Sequence, residues 1–137
     1  MKIMLRNLIL NIGCIIFGFP FVIIGIDHFI DPSWYEPIVP EILGFPTFWV
    51  YASGVFEIAL GAGLMFPQTR QISAYGIALM LVVLYWANFN MWVNDIAIGG
   101  SKFGTNWHIM RAIIQVLLIS ICLIIAKYSS KNSFSSD

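Results

Sequence analysis

Four long apolar runs alternate along the chain with short segments that are polar or rich in proline and glycine. Each run is close to the ~20 residues that an α-helix needs to cross the hydrocarbon core of a bilayer. The pattern predicts helices over about 8–26, 47–66, 72–93 and 107–126. We therefore expect an all-α membrane protein.

The connections between these runs indicate how the helices are arranged. Pro67 ends the second run and the following QTRQ connector is tight, so helices two and three are expected to form an antiparallel hairpin. The connector between helices one and two contains four prolines among aromatic and aliphatic residues, which predicts an irregular segment lying on the membrane surface. The predicted fold is an antiparallel bundle of four transmembrane helices, with one domain over 1–128 and a short polar, disordered tail over 129–137.

The composition supports a membrane location and argues against other classes. Hydrophobic residues make up 59% of the chain and charged residues 10%, and the mean hydropathy is +0.85, so the lipid bilayer is the expected partner. The formal net charge is zero and no basic run is present, which argues against nucleic acid as a partner.

The positive charges predict the orientation in the membrane. One side of the four-span arrangement carries most of the lysines and arginines, and the other carries Lys102 and Arg111. The positive-inside rule then places both termini and the QTRQ turn in the cytoplasm. The residues on the basic side are Lys2, Arg6, Arg70, Lys127 and Lys131.

Small and polar residues recur at helical spacing within each run and predict the faces that point into the bundle. Glu57 is the carboxylate nearest the middle of a run, where an ionised side chain is costly unless it is paired. The inward stripes are Asn11, Cys14, Gly18, Phe21, Gly25 and His28; Gly54, Glu57 and Gly61; Ala74, Ala78, Leu81, Tyr85, Asn88 and Trp92; and His108, Arg111, Gln115, Leu118 and Cys122.

These stripes suggest an ion pair between Glu57 and Arg111, helped by Gln115. One interpretation is an outward-facing polar pocket that binds a ligand or a proton, with the two histidines at its mouth. The other is a buried pair that fixes the register of the helices and performs no chemistry. The candidate pocket residues are Glu57, Arg111, Gln115, Asn88, His28, His108 and Tyr35.

The two cysteines lie on the inward faces of helices one and four. Because these helices are neighbours in an up-down-up-down bundle, Cys14 and Cys122 are candidates for a thiol pair. The alternative is that both are small buried hydrophobic residues. Their spacing does not predict a metal site.

Several short motifs occur in a fixed order: GIDHF, PSWYEPIVP, YASGVFEIALGAGLMFPQTR, ANFNM and WHIMRAIIQ. Their order and spacing resemble the DoxX-like family of small four-span bacterial membrane proteins over roughly residues 25–120. Ile113 stands where that family usually has a proline, which predicts a straighter fourth helix. The matching positions are His28, Phe29, Pro32, Tyr35, Pro40, Gly54, Glu57, Gly61, Arg70, Asn88, Arg111 and Gln115.

The resemblance implies a bacterial inner-membrane protein that acts as an accessory or quinone-side membrane partner of an oxidoreductase system. The DoxX-like family takes its name from a membrane subunit linked with thiosulfate:quinone oxidoreductase. The sequence carries no flavin, NAD or P-loop motif, so a non-catalytic membrane subunit is favoured over an enzyme. No cofactor is evident, and a bound quinone, a membrane or extracytoplasmic redox partner, and an oligomer stay open.

Two other functions also fit the sequence. One is a small-solute or proton-coupled binding or transport protein that uses Glu57 and Arg111. The other is a structural or assembly protein in which these two residues only fix the helix register.

Overall fold

The computed structural model describes residues 1–133 and is built from four long helices. Helix α1 spans Lys2–Ile30, α2 spans Pro46–Met65, α3 spans Arg70–Val93 and α4 spans Thr105–Ser133. All four are long and apolar enough to cross a membrane, which confirms the predicted helical membrane protein. Helix α4 takes in residues 129–133 of the predicted tail, and residues 134–137 lie outside the described part.

Large apolar side chains are exposed around all four helices. Ile16, Val55, Val83 and Ile124 are examples, one from each helix. Such extensive apolar exposure is unfavourable in water but is expected where helices face lipid. We conclude that the chain is a membrane protein.

Helices α1 and α2 approach closely at two pairs of glycines. A Cβ atom built on Gly18 would lie 2.5 Å from the carbonyl oxygen of Gly61, and one on Gly25 would lie 2.7 Å from that of Gly54. Only glycine permits such contacts between helix backbones. The partners occur in opposite order along the two helices, so these pairs fix how α1 and α2 are aligned.

Helices α3 and α4 are joined by polar contacts along their length. Arg111 donates to Asn88, Gln115 donates to the Leu81 carbonyl, and the Gln71 side chain donates to the Ala126 carbonyl at 3.4 Å. Here too the partners run in opposite order along the two helices.

A buried hydrophobic cluster includes residues from all four helices. Its fully buried members include Leu64 of α2, Ile77 of α3 and Cys122 of α4, and Cys14 of α1 joins them. The predicted inward stripes are confirmed in α1, where Cys14, Gly18, Phe21, Gly25 and His28 are the buried residues.

The segment 31–45 between α1 and α2 consists of short 3₁₀ turns, as its prolines suggest. Its Ile38 carbonyl accepts a hydrogen bond of 3.1 Å from Asn90, near the end of α3. Its Leu43 carbonyl accepts one of 3.4 Å from the Trp49 indole. The segment is therefore attached to the end of the molecule that also holds residues 94–104, which we call the loop end.

Candidate functional site

The most deeply buried pair of titratable side chains is His28 of α1 with Glu57 of α2. His28 Nδ1 and Glu57 Oε2 are 2.7 Å apart, and each residue is only 6% exposed. Their relative orientation does not give a well-aligned hydrogen bond, and neither atom has another hydrogen-bond partner among the side chains described, those of residues 1–129. We call this contact the His28–Glu57 site.

The glycine pair nearest the site makes the contact possible. A Cβ atom on Gly25 would lie 3.0 Å from the Cβ of Glu57, and one on Gly54 would lie 2.9 Å from the Cβ of His28. Side chains at either glycine would therefore push the two helices apart. Gly25 and Gly54 thus bring the imidazole and the carboxylate together.

Tyr35, from the segment 31–45, covers the site. Its ring packs edge-on against the His28 ring with centroids 4.0 Å apart. Its hydroxyl donates a hydrogen bond of 2.7 Å to Asp27 Oδ2. Burial, followed by the hydrogen bond to Asp27 and the negative charge of that carboxylate, raises the pKa of Tyr35, so the phenol stays protonated and continues to donate.

The predicted ion pair between Glu57 and Arg111 is wrong. The partner of Glu57 is His28, whereas Arg111 donates to the Asn88 side-chain oxygen and to Met91 Sδ. The physical reason is helix pairing. Glu57 lies in the contact between α1 and α2, and Arg111 lies in the contact between α3 and α4.

The remaining predicted pocket residues follow the same division. His108 is 5% exposed and its ring stacks on Trp92 of α3, with centroids 5.6 Å apart. The Gln115 side chain donates a hydrogen bond to the Leu81 carbonyl. The fold thus brings His28, Glu57 and Tyr35 together in one site. The polar residues between α3 and α4 form a second group, which we call the Arg111 cluster; its members are Arg111, Asn88, Met91, His108 and Trp92.

Arg70 is a further buried polar residue, at the opposite end of the bundle. It is 3% exposed and donates to the carbonyls of Leu64 and Met65, at 3.0 and 3.2 Å, and to Asn11 Oδ1 at 3.0 Å. These carbonyls belong to the last turn of α2, where intrahelical donors are missing. Arg70 therefore caps α2 and joins it to α1.

Sequence reasoning assigned no site role to Arg70 or Asp27. The signal for Arg70 was its position three residues after Pro67, since a cation there can reach the unpaired carbonyls of the preceding helix. Asp27 could be recognised only through the fold, which brings Tyr35 back over the end of α1.

Both cysteines are free thiols and both are buried in the hydrophobic cluster, so the described structure contains no disulfide between Cys14 and Cys122. The described side chains, those of residues 1–129, include no group of three His, Cys, Asp or Glu residues that could hold a metal ion. A groove of about 380 Å³ lies between α1 and Leu118 of α4. Its lining is apolar and includes Phe17, Pro20 and Phe21.

Comparison with known proteins gives a family but no activity. No curated protein and no solved structure matches the chain. A family model described as Domain of unknown function (DUF8561) matches residues 17–126, which include both polar sites. The chain therefore belongs to the DUF8561 family.

Proposed function

We propose that the protein is a proton-coupled binding protein of the membrane, in which the His28–Glu57 site takes up the proton. The observation that carries the proposal is the 2.7 Å contact between His28 Nδ1 and Glu57 Oε2, with both residues 6% exposed. A histidine and a carboxylate in direct contact can exchange a proton between them, and imidazole is the side chain whose ordinary charge change lies nearest neutral pH.

The burial of the pair links protonation to the binding of a charged solute. The pair has no net charge as imidazolium with carboxylate, and none as neutral imidazole with carboxylic acid. An unbalanced charge in the membrane interior costs about 2.5–3.5 kcal/mol or more. Adding a proton to the ionised pair leaves a net positive charge, so protonation is favoured when an anionic solute binds at the same time. Removing a proton from the ionised pair leaves a net negative charge, so deprotonation is favoured when a cationic solute binds.

The proposal includes a topology. The helices form an antiparallel bundle in a bacterial inner membrane, with both termini in the cytoplasm and the segment 31–45 on the outer surface. The basic residues Lys2, Arg6 and Arg70 at the end opposite the loop end support this orientation. The hydrogen bonds of Ile38 and Tyr35 support a segment that covers the bundle. The His28–Glu57 site would then receive protons from the outer side.

The second candidate is an accessory or quinone-side membrane partner of an oxidoreductase system, as the resemblance to DoxX-like proteins implies. The apolar groove of about 380 Å³ between α1 and Leu118 favours it, because its lining suits a quinone ring or an isoprenoid tail. In that case the His28–Glu57 site would handle the protons that accompany quinone reduction or oxidation. The chain would act as a non-catalytic subunit.

Replacing Glu57 by Gln tests the first proposal. The infrared band of protonated carboxyl groups is followed while the pH of the reconstituted protein is changed, and thermal unfolding is measured separately. We expect Glu57→Gln to remain folded and to lose one component of the pH-dependent band. The matched control is Glu41→Gln, because Glu41 is an exposed carboxylate in the segment 31–45.

Two results would count against the proposal. If Glu57→Gln leaves the buried carboxyl band unchanged, the site does not take up protons. If Glu57→Gln and His28→Gln both fail to give folded protein, the pair fixes helix register, which is the structural alternative. Mass spectrometry of the purified protein tests the second candidate: a bound quinone or a co-purified redox enzyme supports it, and their absence contradicts it.

A further inference from the structure

We propose that the Arg111 cluster binds the phosphate group of a phospholipid. The inference does not depend on proton uptake at the His28–Glu57 site, because it concerns the contact between α3 and α4 instead of that between α1 and α2. It starts from the pairing of Glu57 with His28, which leaves Arg111 without the carboxylate that the sequence suggested.

Arg111 is a half-buried cation whose contacts are all uncharged. Its two recorded hydrogen bonds go to the Asn88 side-chain oxygen and to the thioether sulfur of Met91, which is a weak acceptor. No carboxylate among residues 1–129, whose side chains the structure describes, lies within ion-pair distance of it. The other N–H groups of the guanidinium stay available, and its positive charge is not neutralised by the protein.

The position of Arg111 along α4 favours a lipid phosphate as the missing anion. Helix α4 has 29 residues and is therefore about 43 Å long, against about 30 Å for the hydrocarbon core. When the helix is centred in the bilayer, about 6–7 Å of each end lies among the headgroups. Arg111 is six residues after Thr105, about 9 Å along the helix, so its long side chain reaches the headgroup phosphates from just below them.

His108 and Trp92 lie nearer the loop end than Arg111 does. His108 precedes Arg111 by one helical turn and lies on the same face. Its ring stacks on Trp92 with the ring centroids 5.6 Å apart. An indole at this level is typical of the lipid headgroup region. Arg111 and His108 thus lie within the first two turns of α4, Trp92 lies in the last turn of α3, and the Arg111 guanidinium supplies the charge-assisted N–H donors that a phosphate diester accepts.

The experiment titrates phosphatidylglycerol, and in a parallel arm inorganic phosphate, into the protein purified in a neutral detergent, with native mass spectrometry as the readout. Arg111→Gln is expected to weaken phosphatidylglycerol binding at least about tenfold, because a charge-assisted hydrogen-bond pair is lost. The matched control is Lys102→Gln, since Lys102 is an exposed cation at the same end and is paired with Asp95 at 2.9 Å. That variant should bind phosphatidylglycerol as the unmodified protein does.

Asn88→Ala separates charge from packing. It removes an uncharged partner and keeps the guanidinium, so phosphatidylglycerol binding should persist. The proposal is overturned if Arg111→Gln and Lys102→Gln bind equally well, or if Asn88→Ala loses binding as fully as Arg111→Gln does. If inorganic phosphate binds as strongly as phosphatidylglycerol, the site takes free phosphate and the lipid assignment is overturned. Helical content and thermal unfolding are recorded for each variant. If Arg111→Gln does not fold, Arg111→Lys is measured instead: it should bind phosphatidylglycerol more weakly than Lys102→Gln does, because an ammonium cannot make the bidentate contact of a guanidinium, and equal binding by the two variants overturns the proposal.

Discussion

Replacing Gly25 by Ala should destabilise the contact between α1 and α2. A Cβ atom at Gly25 would lie 2.7 Å from the Gly54 carbonyl oxygen, 2.8 Å from Ile58 Cγ1 and 3.0 Å from the Cβ of Glu57. Favourable carbon contacts lie at about 3.5–4.0 Å, so either α1 or α2 must move. Two of the three neighbours are a backbone atom and a Cβ, which cannot rotate away.

The magnitude follows from comparison with Gly13, which is in the same helix. A Cβ atom at Gly13 meets nothing within 4 Å, so Gly13→Ala changes only the intrinsic helix preference, which favours alanine by about 0.8–1.0 kcal/mol. Gly25→Ala gains the same preference but adds overpacking, which typically costs about 1–3 kcal/mol. The difference between the two variants therefore isolates the steric cost, and we expect Gly25→Ala to be about 1–3 kcal/mol less stable than Gly13→Ala.

The assay is reversible unfolding in mixed detergent micelles, with increasing fractions of a denaturing detergent and with helical content as the readout. Both variants are measured beside the unmodified protein, and a shift in midpoint at constant slope is read as a change in stability. Equal stability of Gly25→Ala and Gly13→Ala would refute the close approach of α1 and α2. It would also remove the argument that Gly25 positions Glu57 beside His28.

Two further predictions concern the polar contacts at the two ends of the bundle. Arg70→Ala should lower the free energy of unfolding by about 2–4 kcal/mol, because charge-assisted hydrogen bonds to carbonyls are lost. The control, Arg6→Ala, is at an exposed position and should change the free energy of unfolding by less than about 0.5 kcal/mol. Equal effects of the two variants in the same micelle assay would contradict the capping role of Arg70. For Tyr35 the folded protein holds the phenol proton more tightly than the unfolded chain, so its contribution is fully present below the ordinary tyrosine pKa of about 10 and is lost as the pH rises above it. The stability difference between the unmodified protein and Tyr35→Phe should therefore narrow above about pH 10, and a difference that stays constant would show that folding does not raise the pKa of Tyr35.

The helices and their inward faces could be predicted because both depend on local pattern. Apolar length decides whether a segment can span the bilayer, and helical spacing decides which side chains share a face. The stripe from Cys14 to His28 in α1 was predicted in this way and is buried in the structure. The helix ends were less predictable: α1 and α4 run several residues beyond their apolar runs, since a helix continues into the headgroup layer as long as its backbone hydrogen bonds are satisfied.

The partner of Glu57 could not be predicted from the same pattern. The stripes gave Glu57, Arg111, Gln115 and His28 as residues facing inward but not which of them meet. The resemblance to DoxX-like proteins and the redox role that it implies stay predictions, because they rest on the sequence motifs alone.

By itself, therefore, the sequence determined that this is a four-helix membrane protein with a carboxylate facing its interior. Only the tertiary structure decided that this carboxylate meets His28 and that Arg111 lies apart from it. The reason is that a residue's partner depends on which helices pack together and how far each is shifted along its neighbour. Here those shifts are set by the backbone contacts of Gly25 with Gly54 and of Gly18 with Gly61, which are far apart in the chain and close only in the fold.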